Sequence, residues 1–218
     1  MESAELCNAL PGDDDVWCQA FGKPGRENRP GLFLDRDGVI VELIPYLHQV
    51  EDVALIPGAV ETIAAANRRG VPVVVITNQA GIGRGYYGWE KFQGVQDAIL
   101  VALGNAGAHI DGVFACPHHP DAAGRYLHPA HSARKPEPGM LLRAAEMLRI
   151  DLAHSWIIGD RSGDLLAGRA AGLEGGVLVR TGLGGRYIGA AIALRRRSFE
   201  VVVADSIGDV GGLIPLLA

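Results

Sequence analysis

The chain reads as an α/β protein: a doubly wound, mostly parallel sheet flanked by helices, with no large cap domain. Three observations predict this. From residue 31 onward, short apolar runs alternate with stretches of helical periodicity, the pattern of right-handed βαβ units. The runs are continuous, as in Val73-Val74-Val75-Ile76, which marks strands buried on both faces. The 30 glycines, roughly twice the usual share of residues, mostly follow the apolar runs, where a chain turns tightly or approaches a ligand.

Taken in order, residues 1–29 hold Pro11-Gly12-Asp13-Asp14-Asp15 and Lys23-Pro24-Gly25 and no sustained periodicity. They are expected to form a partly flexible N-terminal extension, pinned by Trp17 and Phe21. A single domain over residues 30–218 follows. Its strands are expected at Leu32–Leu34, Val71–Ile76, Gly112–Cys116, Ser155–Ile158, Val177–Val179 and Val201–Val203. Helices are expected at Val60–Arg69, closed by Gly70, then Trp89–Leu103, Met140–Leu148, and Leu165–Ala171, closed by Gly172. A last helix is expected over Ile207–Leu217.

Composition narrows the function classes. A hydrophobic share of 48% and a charged share of 21% describe an ordinary globular chain. The net charge of -5 argues against nucleic acid or an acidic membrane as partner. No apolar run approaches the length of a membrane span, and the acidic, polar N-terminus lacks the pattern of a secretory signal. Three cysteines without framework spacing suit a reducing compartment. The expectation is a cytoplasmic protein, monomeric or a small homo-oligomer. Cys7 and Cys18 have no partner motif, and Arg195-Arg196-Arg197 reads as a solvated helix end before the last strand.

Parallel sheets bind ligands beyond the carboxyl ends of their strands, so the residues just after each strand matter most. After the first comes Asp35-Arg36-Asp37-Gly38, after the second Thr77-Asn78-Gln79, after the third Cys116-Pro117-His118-His119, and after the fourth Gly159-Asp160-Arg161-Ser162-Gly163-Asp164. Asp35 and Asp37 are one residue apart at the end of a buried strand. Such a pair repels itself unless a cation or proton intervenes. A chain that accepts this cost needs one carboxylate as nucleophile or metal ligand and the other as proton carrier. The alternative for the tetrapeptide alone is a polar turn.

These motifs, with Arg134-Lys135-Pro136 and Pro138-Gly139-Met140-Leu141-Leu142 in the same order, resemble the haloacid dehalogenase superfamily. The resemblance covers residues 31–182 and is nearest to the branch of heptose bisphosphate and histidinol-phosphate phosphatases. It implies a HAD-like Rossmannoid fold and a phosphomonoester hydrolase working through an aspartyl-phosphate. Asp35 is then the nucleophile and Asp37 the acid and base, with Thr77 and Lys135 holding the phosphoryl group. It also implies Mg²⁺ on Asp35, the Asp37 carbonyl and Asp160, with Asp164 orienting metal-bound water or Lys135. The expected substrate-binding set is Arg36, Asn78, Gln79, Arg84, Arg134 and Arg161.

The same branch carries a structural Zn²⁺ in the loop after the third strand, here residues 116–133, in the order Cys-x-His…Cys-x-Cys. Cys116 and His118 keep the first half, whereas the second half aligns with His131-Ser132-Ala133. Histidine can replace cysteine as a ligand and alanine cannot. Two outcomes are open: a site of Cys116, His118 and His131 completed by His119 or His128, or a loop that has lost its metal.

Only 40 positions separate Asp37 from Thr77, so short loops rather than a lid shape the pocket. The expected partner is a small phosphorylated metabolite, best a sugar bisphosphate such as D-glycero-D-manno-heptose 1,7-bisphosphate. Histidinol phosphate or another small metabolite is the alternative substrate. A phosphosugar-binding protein without catalysis is the alternative of another class, disfavoured because Asp35, Asp37, Thr77, Lys135 and Asp160 are all present.

Overall fold

The computed structural model describes residues 14–21 and 28–218. The expected flexibility of the first residues, and Cys7, fall outside them. The strands are β1 (Trp17–Ala20), β2 (Leu32–Leu34), β3 (Val73–Asn78), β4 (Gly112–Cys116), β5 (Trp156–Gly159), β6 (Gly175–Val179) and β7 (Glu200–Ala204). They form one sheet in the order β1-β4-β3-β2-β5-β6-β7. All pairs are parallel except β1 with β4.

The helices are α1 (Ala59–Arg68), α2 (Ala80–Gly83), α3 (Trp89–Asn105), α4 (Gly139–Leu148), α5 (Ser162–Ala170) and α6 (Ile188–Ile192). Alternation along each strand sends successive side chains to opposite faces. Leu32, Leu34, Val73 and Val75 join Ile63 of α1 and Phe92, Val95 and Ile99 of α3 in one core cluster. Phe33, Val74 and Ile76 join Met140 and Leu141 of α4 and Leu165 of α5 in the other. Both faces of β2 and β3 are therefore covered, which is why these strands read as unbroken apolar runs.

β2 lies between β3 and β5. The chain leaves β2 toward β3 and β4, then returns across the sheet to β5. The crevice at this reversal lies above the carboxyl end of β2, where Asp35 and Asp37 stand. The sheet thus presents its ligand-binding position to the acidic pair.

Two expectations are corrected. The sheet reaches further toward the N-terminus than the boundary expected at residue 30, because Trp17–Ala20 pairs with β4, Trp17 opposite Ala115. Four residues are too short for periodicity to reveal; burial of Trp17 against Trp89 and Phe92, ring centroids 5.5 Å away in each case, supports the strand. The last helix does not form. Ile207–Asp209 and Pro215–Leu217 are separate 3-10 turns, interrupted by Gly211-Gly212 and Pro215, which are poor in helix interiors.

Trp17→Ala is expected to lower the unfolding free energy by about 3–5 kcal/mol, the range for truncating a large buried aromatic. Urea denaturation checks this; a loss below about 1 kcal/mol would show that β1 contributes little to the folded state.

Candidate active site

Three strand ends and one loop converge on a cavity of about 500 Å³, an ordinary size for a small-ligand site. Asp35, Arg36 and Asp37 rise from β2, Thr77 and Asn78 from β3, Asp164 from the first turn of α5, and Lys135 from the segment before α4; all line the cavity. Asp160 stands at the end of β5, fully buried.

The centre of the site is the ammonium of Lys135. It donates to Asp35 Oδ1 at 2.9 Å, Asp164 Oδ1 at 2.6 Å and the Ile76 carbonyl at 2.7 Å, so its three hydrogens are all taken. Burial pulls the Lys135 pKa down, but Asp164 and Asp35 outweigh it and the net shift is upward. Lys135 is therefore a fixed cation. Asp35 Oδ1 also accepts the Arg36 backbone N–H at 2.8 Å, while Oδ2 accepts no hydrogen bond among the described residues. Burial pushes the Asp35 carboxyl up to about 7 against the pull of Lys135, with Asp164, Asp160 and Asp37 adding to the rise.

Asp160 is pushed up to about 6, mainly by burial and less by Asp164, while the Leu183 N–H opposes the shift. Its Oδ2 accepts that N–H at 2.8 Å. Its Oδ1 is buried with no hydrogen-bond partner, 3.7 Å from Arg161 Nε. Gly38 makes this packing possible: at φ +87°, a Cβ there would stand 2.7 Å from Asp160 Oδ2. Ligand oxygens of Asp35, Asp160 and Asp164 lie within 4.8 Å of one another. These are hard oxygen donors; the carboxyls of Asp35 and Asp160 are raised and Asp160 Oδ1 is the orphaned oxygen, which fits a Mg²⁺-type cation.

Asp37 is half-buried. Arg36 forks onto it, Nε to Oδ2 at 3.2 Å and Nη2 to Oδ1 at 3.0 Å. The Arg36 guanidinium is 1% exposed and also lies over the Phe92 ring. Gln79 Nε2 donates to Asp37 Oδ2 at 3.1 Å and to Thr77 Oγ1 at 2.8 Å. Asn78 forms a reciprocal pair with the Lys135 backbone, donating to its carbonyl at 2.9 Å and accepting its N–H at 3.1 Å. The expectation that Arg36, Asn78 and Gln79 grip substrate therefore does not fit. They line the cavity, but Asn78 and Gln79 turn their amides to protein partners, and Arg36 spends Nε and Nη2 on Asp37 while its Nη1 is buried without a partner.

The other expected arginines do face the cavity. Arg84 donates to Tyr46 Oη at 2.6 Å and lies 3.4 Å from Asp121, Arg134 donates to the His118 carbonyl at 2.9 Å, and Arg161 is half exposed. Tyr46, Tyr87 and the Leu183 N–H were not anticipated. Leu183 follows a fifth strand end, after Val179, so the same strand-end reading extends to it. Tyr46 and Tyr87 carry no sequence signal of this kind.

The zinc set is not assembled. His118 and His131 stack face to face, ring centroids 3.8 Å apart and 10° between planes, whereas ligand lone pairs lie in the ring planes and must converge edge-on. His131 Nδ1 accepts the Ala133 N–H and His128 Nδ1 the Ala130 N–H. His118 Nε2 lies 2.8 Å from the Asp14 carbonyl. His119 turns away to Arg84 and the Asp121 N–H. Burial pushes the Cys116 thiol up to about 11. Among the described residues, only the Asp35, Asp160 and Asp164 cluster brings three potential ligands together.

Comparison with known proteins agrees with this geometry. A family model described as HAD-hydrolase-like matches residues 132–209. The D-glycero-beta-D-manno-heptose-1,7-bisphosphate 7-phosphatase of Mesorhizobium japonicum is 44% identical over 167 residues, 75% of this chain and 76% of that protein. The chain belongs to the haloacid dehalogenase-like phosphatases. Among solved structures, a HAD-like phosphatase of Mesorhizobium loti superposes on this phosphatase with a TM-score of 0.83 at 37% identity, covering 95% of this chain and 94% of that one. The D,D-heptose 1,7-bisphosphate phosphatase of B. bronchiseptica, complexed with magnesium and phosphate, gives a TM-score of 0.71 at 30% identity over 83% of this chain and 95% of that one. Among the described residues of this phosphatase, no helix is long and apolar enough to cross a membrane.

Asn78→Ala removes both bonds that hold the Lys135 backbone. It is expected to cost about 1–3 kcal/mol in stability and to lower turnover, since the Lys135 ammonium loses its fixed position between two carboxylates. Denaturant melts and steady-state kinetics check the two effects together.

Proposed function

We propose that this phosphatase is a Mg²⁺-dependent hydrolase of a small sugar bisphosphate, with D-glycero-D-manno-heptose 1,7-bisphosphate as substrate and its 7-phosphate as the group removed. The observation that carries the bisphosphate reading is the cavity itself. Beside Asp35 and Lys135 it holds the guanidiniums of Arg84, Arg134 and Arg161, more positive charge than one phosphoryl group needs. A second phosphate, gripped by guanidinium forks, accounts for it. Relatives named as heptose 1,7-bisphosphate 7-phosphatases support the same choice. Histidinol phosphate brings a protonated amine toward these arginines, which repel it, and is the weaker reading.

In the first step Asp35 Oδ2, the oxygen without a hydrogen bond, attacks phosphorus. The bond from phosphorus to the sugar oxygen breaks, and a proton on Asp37 passes to that leaving oxygen, giving the free sugar hydroxyl and an aspartyl-phosphate. In the second step water attacks phosphorus and Asp37 takes its proton. The bond to Asp35 breaks, releasing inorganic phosphate and restoring the carboxylate. Lys135 stays charged throughout and offsets the negative charge gathered at Asp35. Thr77 and Arg134 orient the phosphorylated substrate. Asp35, the Asp37 carbonyl and Asp160 would hold the Mg²⁺, with Asp164 fixing Lys135. When bound, the cation neutralises charge on the transferring group.

Asp35→Asn is expected to lower turnover by at least about 10³-fold while substrate still binds, a loss on the scale of removing a covalent nucleophile. Phosphate-release assays with heptose bisphosphate and histidinol phosphate check the activity and the preference. Comparable kcat/KM on the two substrates would sink the bisphosphate reading.

Cation binding requires ionised Asp35 and Asp160, whose carboxyls lie near 7 and 6. Mg²⁺ affinity is therefore expected to fall as pH drops through that window, with protons released on binding. Calorimetric titration at several pH values checks this; equal affinity on both sides of the window would remove the two carboxylates as ligands. In chelated protein the sign reverses. Both pKa values are raised above those of the unfolded chain, so this pair's contribution to stability is greatest below about pH 4 and is lost as pH rises to about 7.

A further inference from the structure

The hydrogen bonds around Asp37 run in one direction, and they begin at a residue that the hydrolytic steps do not use. Tyr87 lies between α2 and α3 and is 8% exposed. Its hydroxyl donates to Gln79 Oε1 at 2.5 Å. The two hydrogens of Gln79 Nε2 go to Asp37 Oδ2 and Thr77 Oγ1. A carboxylate only accepts and an amide nitrogen only donates. Turning the Gln79 amide over would set its oxygen against the Asp37 carboxylate and waste the Tyr87 hydrogen.

Tyr87 is itself tightly held. An added Cβ on Gly81 would come within 2.3 Å of Tyr87 Cε1, so the ring packs where only glycine leaves room. His48 stacks on the ring, centroids 5.3 Å apart and planes 8° from parallel. Burial pushes the Tyr87 phenol up to about 12, against a smaller downward pull from Arg36, so it remains a donor at neutral pH. The Thr77 hydroxyl already accepts from Gln79, and its own hydrogen has no acceptor among the described residues. That hydrogen is free for a phosphoryl oxygen.

We propose that Tyr87 is a positioning residue for phosphoryl transfer, acting through the Gln79 amide to aim Asp37 at the leaving-group oxygen. The inference rests on the reading of Asp37 as the proton carrier. Arg36 fixes Asp37 from one side with two bonds. Gln79 fixes it from the other with one; the carboxylate itself selects the amide's NH2 end, and Tyr87 anchors the opposite end of that amide. Without the Tyr87 hydroxyl the amide oxygen loses its partner, and the amide that holds Asp37 is anchored through its nitrogen alone.

The test is the dependence of kcat/KM on leaving-group pKa, measured from 4-nitrophenyl phosphate through alkyl phosphates in wild type, Tyr87→Phe, Gln79→Met and Asp37→Asn. An aryl oxide leaves without protonation and an alkoxide does not, so a misplaced proton carrier steepens the slope. Tyr87→Phe and Gln79→Met are each expected to lose about 10–100-fold on alkyl phosphates, part of the roughly 10²–10⁴-fold that general acid catalysis supplies. On 4-nitrophenyl phosphate the losses are expected to be clearly smaller than on alkyl phosphates in both variants, and the slope is expected to be steepest in Asp37→Asn. Parallel losses on all substrates in Tyr87→Phe and Gln79→Met, beside a steep slope in Asp37→Asn, would overturn the positioning role alone. A flat Asp37→Asn would overturn the proton-carrier reading beneath it. Gln79→Met keeps the packed tyrosine ring, so it reports on the relay even if loss of the phenol hydroxyl disturbs folding.

Discussion

Everything in the site is arranged around one buried ammonium. Lys135 sits between Asp35 and Asp164 with its third hydrogen on the backbone of β3. Two buried carboxylates this close are tolerable only with a cation between them, and a buried cation is tolerable only with every hydrogen engaged. The ion cluster therefore locks together the ends of β2, β3 and α5 and the segment before α4. Those parts are distant in sequence and become one site because charge neutrality requires it. The cost appears in the carboxyls of Asp35 and Asp160, both raised by burial.

Around that centre, side chains divide into those that face the cavity and those that hold the facing ones still. Arg36, Asn78 and Gln79 belong to the second group. Arg36 forks onto Asp37, Asn78 pairs with the Lys135 backbone, and Gln79 donates to Asp37 and Thr77 while accepting from Tyr87. The cavity is left to Asp35, Thr77 and the arginines. Precise placement of a reacting group depends on such supporting contacts, and here they come from the same short motifs as the side chains they hold.

The sequence carried the sheet and the strand-end motifs because both obey local rules. Val73 to Ile76 reads as buried on both faces, and it is; Asp35 and Asp160 follow their strands and meet, and Thr77, near the end of β3, lines the same cavity as Asp35. What it did not carry depends on direction. Gln79 follows Asn78 and looks equally available to a ligand, yet its amide turns inward to Asp37, Thr77 and Tyr87. Nothing in Gly85-Tyr86-Tyr87 distinguishes the exposed tyrosine from the buried one. β1 was invisible for another reason: its four residues gain their structure from β4 and from Trp89 and Phe92, not from any pattern of their own. The helix expected at Ile207–Leu217 failed where apolar content outweighed Gly211-Gly212 in the reading.

The antiparallel strand β1 also sets an order of assembly. Trp17 pairs with Ala115, so during synthesis the strand leaves the ribosome long before its partner exists, at elongation rates of roughly 5–20 residues per second. For several seconds it is an unpaired segment with a bare tryptophan, while β2, β3 and the helix between them can already close on one another. The edge of the sheet is thus sealed late by the part of the chain made early, and a nascent chain halted before β4 holds a sticky end in place of a finished border.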